Sequence, residues 1–73
     1  MLEQQRYRQR YRQFLGRLRE ARLGAGLTQA EAARRLGKPQ SFLSKCESGE
    51  RRVDFVELLA LVELYGVHLD FFL

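Results

Sequence analysis

Residues 27–49 read LTQAEAARRLGKPQSFLSKCESG and contain two helix starts and two helix stops. Thr28 and Glu31 have capping-box spacing. The Thr28 hydroxyl can accept from the Glu31 N–H, while the Glu31 carboxylate accepts from the Thr28 N–H. A helix is therefore predicted from about Gln29 to Leu36, with Gly37 as its stop. Two residues later, Pro39 supplies a φ suited to the first position of a helix. The next helix is predicted over about Pro39 to Glu47, ending near Gly49.

Before this stretch, Tyr7, Tyr11, Phe14, Leu15 and Leu18 recur at three- and four-residue steps, with Leu23 five residues further on. That spacing predicts one long helix from about Gln5 to Leu23. Gly16 weakens it by up to ~1 kcal/mol, and Gly24 and Gly26 end it. After the stretch, Asp54 and Glu57 form a second capping pair, opening a helix that Gly66 terminates. Leu69 to Leu73 has room for one last turn. No strand pattern, internal repeat, low-complexity tract or interdomain linker interrupts this order. The connections are short, as compact helical domains prefer. The predicted fold class is all-α: one domain of five helices.

Seventy-three residues at 45% hydrophobic make one small domain with a thin core. Such a core leaves no room for a large cleft between domains. The single Cys excludes an internal disulfide, and the single His argues against a zinc site. No phosphate-loop pattern GxxxxGK[ST] occurs. No apolar run approaches the roughly 20 residues that span a bilayer, and the arginine-bearing N-terminus lacks the apolar stretch of a secretory signal. A cytoplasmic protein with no membrane association, no metal and no cofactor is expected.

The net charge of +4 averages two unlike regions. Residues 1–52 hold all 13 Lys and Arg with five acids, giving +8, whereas residues 53–73 hold four acids and no base, giving −4. This asymmetry fits either a polyanion partner for the basic part or a solvated basic surface.

The two short helices around Gly37 have the geometry of a helix-turn-helix. Ala33 falls where they would cross closely, and Ala32, Leu36, Leu43 and Cys46 are apolar where they should face the junction. The other side of the third helix carries Gln40, Ser41, Ser44 and Lys45. These are short or flexible hydrogen-bonding groups, unlike the Glu/Lys mixture of an ordinary solvated face.

Leu27 to Gly37 and Gln40 to Gly49 together resemble the Cro/CI-type (XRE) helix-turn-helix family, and Gly66 to Asp70 resembles its closing segment. The likeness covers residues 14–73 and leaves 1–13 as an arginine-rich extension. It implies a compact five-helix bundle, lambda-repressor-like, with the helix-turn-helix at helices 2 and 3 and the third as recognition helix. It further implies double-stranded DNA as partner. Base contacts fall to Gln40, Ser41, Ser44 and Lys45, and phosphate contacts to Gln29, Arg51 and Arg52. Lys38 departs from a turn position that is often small or apolar in the family, and its charge there favours a phosphate contact as well. Gln29 is also implied to brace the first recognition residue. Arg22 and Glu47 match a pair that in this family joins the first helix to the end of the third.

Several positions depart from the family pattern. Ala32 and Cys46 stand where larger aliphatics are common, thinning the core, and Pro39 replaces a frequent Ser cap. The extension can lengthen the first helix, contact DNA or stay disordered. Tyr7 and Tyr11 can stack on bases, although aromatics four residues apart more often pack on each other. Cys46 and His68 lack the oriented partners of a catalytic pair, and a buried thiol is unreactive. No enzymatic activity is expected.

The apolar end, Phe71, Phe72 and Leu73, is hard to bury in so small a domain. Some of it is expected to complete the core and the remainder to form a dimer interface made by the fourth and fifth helices. Members of the family commonly bind as two-fold dimers. The sequence thus points to a sequence-specific regulator, a repressor acting as a homodimer by occupancy of a symmetric operator. The alternative is a protein-interaction module, such as an antitoxin, that binds a toxin or another regulator with weak or no DNA binding.

Overall fold

In the computed structural model, the backbone of residues 2–73 and the side chains of residues 4–73 are described. Met1, the first residue of the predicted extension, lies outside the described residues, as do the side chains of Leu2 and Glu3. Four α-helices run in the order α1 (Leu2–Gly24), α2 (Gln29–Leu36), α3 (Gln40–Ser48) and α4 (Phe55–Tyr65), followed by a 3-10 turn at Leu69–Phe72. No strand occurs among the described residues.

The expected fifth helix is corrected to that single turn. Its bonds span only three residues, from the Phe71 N–H to the His68 carbonyl and from the Leu73 N–H to the Asp70 carbonyl. His68 at its start gives no side-chain cap, so nothing converts the turn into an α-helix.

Local chemistry sets the other boundaries. The Glu31 N–H donates to Thr28 Oγ1 at 3.1 Å, and the Thr28 N–H donates to Glu31 Oε1 at 2.9 Å. The Glu57 N–H donates to Asp54 Oδ1 at 2.7 Å, and the Asp54 N–H to Glu57 Oε1 at 3.0 Å. Each box satisfies two N–H groups that a helix start otherwise leaves open. Pro39 differs from its expected place. It is the N-cap of α3, with ψ 158°, and the helix begins at Gln40. The proline φ of −70° serves either position, and ψ decides which one is occupied.

The core forms where the helices cross. Leu18 and Ala21 of α1 meet Ala32 and Ala33 of α2, Leu43 of α3, and Leu61 and Tyr65 of α4. Ala32 and Ala33 are fully buried, so the small side chains let α2 and α3 approach closely. Leu43 and Cys46 are buried on the inner face of α3, and Leu36 is half-buried. Burial pushes the Cys46 thiol up from its ordinary range, which keeps it protonated and inert. Tyr7, on the apolar stripe by spacing, is exposed, as is Leu23 at the end of the helix.

At 23 residues, α1 is about 34 Å long, close to the 39 Å long axis of the molecule. Its Leu15 packs over the end of α3, where Gly49 adopts φ +85° and a Cβ would meet Leu15 Cδ1 at 2.9 Å. Gly37 also has positive φ, at +71°, but open space surrounds it. Gly37→Ala should therefore cost about 1–2 kcal/mol from the left-handed backbone alone. Gly49→Ala should cost more, because Leu15 must also move. Urea midpoints of the two variants check this; equal losses would mean that α1 does not press on the α3 terminus.

Candidate nucleic-acid interface

The outward face of α3 is polar throughout. Gln40, Ser41, Ser44, Lys45 and Ser48 are exposed, while Leu43 and Cys46 turn inward. On a 3.6-residue helix these five occupy one side. Gln40 and Ser41, in the first turn, stand where α3 is set close to α2 by the Gly37 turn. The sequence-derived base-contact residues are thus on a common surface.

One acid lies along the edge of this face, and it is locked inward. Glu47 Oε2 accepts from Arg22 Nε at 2.6 Å, and its Oε1 accepts from Arg22 Nη2 at 3.1 Å. Side-chain exposures of 8% for Arg22 and 7% for Glu47 show that the pair is withdrawn from water. Arg22 Nη1 also donates to the Leu27 carbonyl at 2.8 Å, and Gln29 Nε2 donates to Glu47 Oε1 at 3.1 Å. The hydrogen bond of Gln29 therefore runs to Glu47 and not to Gln40, the residue it was expected to brace. The hydrogen bonds that Arg22 donates to Glu47 hold its guanidinium in the charged form. Tyr65, buried nearby, has its phenol pushed up to about 12 by desolvation, with the Glu47 charge adding to it.

The basic residues flanking α3 divide by partner. Lys38 is exposed, with its Nζ 5.4 Å from the Phe42 ring centre. Arg51 covers the same ring at 4.7 Å. Its Nη1 and Nη2 fork onto Glu57 at 2.8 and 2.7 Å, and Nη1 also donates to the Arg52 carbonyl. Arg52 lies 4.8 Å from the Tyr7 ring centre and 4.9 Å from that of Tyr11. It also donates to the Tyr7 hydroxyl. The Tyr11 hydroxyl accepts from the Val53 N–H at 3.1 Å. Lys38 and Lys45 form no ion pair among the described residues.

Sequence reasoning missed the fork from Arg51 to Glu57 and the clasp of Tyr7 and Tyr11 on Arg52. The four-residue spacing of the tyrosines was the one signal for the clasp. Glu57 was legible as a capping residue, but nothing local marks its second partner.

The C-terminal residues are also redistributed. Phe72 packs on Phe14 at 5.7 Å between ring centres, and Arg17 lies 5.0 Å from the Phe71 ring centre. Both phenylalanines are half-buried against α1, and Leu73 is exposed. The larger exposed apolar group is on α4, where Phe55 and Val56 are 61% and 73% exposed and Leu59 joins them. No helix among the described residues is long and apolar enough to cross a membrane.

A family model described as a helix-turn-helix domain matches residues 13–70. The chain is similar to a solved XRE-family like protein from Pseudomonas syringae pv. tomato, at 44% identity and a TM-score of 0.86. That match covers 90% of this chain and 80% of the other. No curated protein matches the chain.

Two outcomes follow from the ion pairs. Glu47→Gln leaves a buried guanidinium without its counter-charge and should lower stability by about 3–5 kcal/mol. A urea-midpoint shift worth less than about 1 kcal/mol would be that of an exposed pair. The second outcome concerns acid. Arg51 holds the Glu57 carboxyl below its ordinary value of 4.5. A depressed carboxylate contributes stability above its unfolded pKa and loses it as pH falls through the folded one. Stability against unfolding, measured from pH 6 downward, should therefore decline below about pH 4.5 for this group. Glu57→Gln keeps the capping box and should flatten that acid limb. The effect is modest, since Arg51 is 41% exposed and water screens the pair. An unchanged limb would assign the loss to other groups.

Proposed function

The chain belongs to the XRE-type helix-turn-helix family, and from that premise we propose a sequence-specific DNA-binding transcriptional regulator. It acts as a repressor, by occupancy, as a homodimer on a two-fold symmetric operator. The observation that carries this reading is the outward face of α3. Gln40, Ser41, Ser44 and Lys45 stand exposed beside a carboxylate that Arg22 and Gln29 hold out of the way. A free acid on that edge would repel phosphate; a locked one does not.

The chemistry of the face suits base reading. Gln40 can pair bidentately with adenine N6 and N7, and Lys45 can donate to guanine O6 and N7, each worth ~1–3 kcal/mol of discrimination. Ser41 and Ser44 can donate to or accept from either base type. Backbone positioning is assigned to Gln29, Lys38 and Arg52, which fix register without reading sequence. Arg51 was grouped with them by resemblance, but its charge is already answered by Glu57, so its contribution is to brace α4 against Phe42.

The dimer contact is assigned to the exposed apolar residues of the acidic C-terminal region: Leu73 together with Phe55, Val56 and Leu59. Phe71 and Phe72, half-buried on α1, support Leu73 more than they face a partner. A two-fold dimer would set two α3 helices about 34 Å apart, in successive major grooves. The same apolar group favours a second reading, a module that binds a toxin or another regulator through α4 with weak DNA binding.

Selection from a random duplex pool separates the two readings. The expected result is a symmetric consensus, with sedimentation giving a dimer on that duplex. Affinity should fall ~10³–10⁵-fold between 50 and 200 mM salt if six to ten phosphates are contacted. No enrichment, or a salt-insensitive affinity, would favour the partner-binding module. A monomer on a single half-site would overturn the homodimer alone.

A further inference from the structure

Helix α1 carries two arginine stripes with different surroundings. Positions 8, 12, 15 and 19 share one side of an α-helix, as do 6, 10 and 17 on the other flank. On the first side, Leu15 is seated against Gly49 at the end of α3. Arg8 and Arg12 border a shallow groove with Gly49 and Arg52. Arg19 borders a second groove with Ser44 and Ser48 of α3. Thus Arg19 lies beside the outward face of α3, and Arg12 and Arg8 continue the row past the Gly49 end of that helix, over about 16 Å in all. On the other flank, Arg17 lies over Phe71 and pairs with Glu20, and Arg10 borders the groove next to Phe72.

The first stripe has no answering acid among the described residues. Arg8, Arg12 and Arg19 are exposed, and none forms an ion pair among the described residues. Like charges four residues apart on a helix destabilise it, and a polyanion laid along the stripe removes that repulsion. The stripe is also held in place: Tyr7 and Tyr11 clasp Arg52, and Tyr11 accepts from the Val53 N–H. Arg8 and Arg12 precede residue 13, where the helix-turn-helix family match begins.

We propose that Arg8, Arg12 and Arg19 form a rail on α1 for the DNA phosphate backbone, adding contacts to those made by the helix-turn-helix. The rail rests on the DNA-binding reading above. It carries no base specificity, because it reads charge alone. Its occupant is duplex DNA because the rail shares its side of the molecule with the polar face of α3.

The test uses the 73-residue chain and a mixed-sequence 30-base-pair duplex, titrated by fluorescence anisotropy from 50 to 200 mM salt. Two double variants have equal charge: Arg8→Gln with Arg12→Gln on the rail, and Arg6→Gln with Arg10→Gln on the other flank. Each lost phosphate contact lowers the slope of log affinity against log salt by about 0.9, so the rail double should lose about 1.8. The other-flank double should keep the parent slope. Circular dichroism confirms helix content in both, glutamine being a good helix former. Equal slope changes in the two doubles would reduce the rail to bulk charge and overturn it while leaving DNA binding intact, as would no change in either. A parent chain that binds no duplex at 50 mM salt would remove the DNA-binding reading itself, and the rail with it.

Discussion

Arg22 and Glu47 join α1 to α3 through two hydrogen bonds of 2.6 and 3.1 Å, with both side chains almost withdrawn from water. A charge placed so deep is tolerable only when every lone pair and N–H around it is answered. Here Arg22 also holds the Leu27 carbonyl that precedes α2, and Glu47 also takes the amide of Gln29 at the start of α2. One pair therefore fixes three elements at once: the end of α1, the entry to α2 and the last turn of α3. The orientation of α3 follows from it, because Glu47 cannot rotate outward without stranding Arg22. The polar face presented by α3 is in that sense a consequence of a contact on its edge.

The remaining basic residues divide between structure and surface in the same way. Arg51 and Arg52 are neighbours in sequence, yet Arg51 is matched by a carboxylate and Arg52 lies against two aromatic rings. A guanidinium matched by a carboxylate has little charge left to offer a phosphate. A guanidinium stacked on tyrosine keeps its full charge while losing side-chain freedom. Arg52 is thus preorganised for an anion in a way that Arg51 is not. Phe42 between Lys38 and Arg51 extends the same device to the turn side of α3.

Much of the fold was legible because its boundaries are written in local chemistry. Thr28 with Glu31, and Asp54 with Glu57, set two helix starts from residues three apart, and the structure holds both boxes. Ala33 announced a close crossing and is buried there, as is Ala32, which was expected to face the junction. What stayed hidden depends on which faces meet across the chain. Tyr11 and Val53 are 42 residues apart, and no local rule pairs them. Pro39 as cap or first residue turns on one ψ angle. The fate of Phe71 and Phe72 turns on whether α1 offers them a surface, and Phe14 does. The outward polar face of α3 was legible; the locking of Glu47 by Gln29 was not, because an amide gives no sequence sign of its partner.

The charge asymmetry gains a physical form from these placements. The acids of residues 1–52 include Glu20, Glu31 and Glu47, which are engaged respectively by Arg17, by the Thr28 cap and by Arg22. Much of the basic excess therefore stands unanswered at the surface, along α1 and beside α3. In the final region, Glu57 takes Arg51 and Asp54 caps α4, so two of its four acids serve the fold. The α4 surface left there is apolar at Phe55, Val56 and Leu59. Unanswered cations suit a polyanion, and exposed apolar side chains suit a dry contact. The sequence keeps these two demands in separate regions, so one can be met without screening or crowding the other.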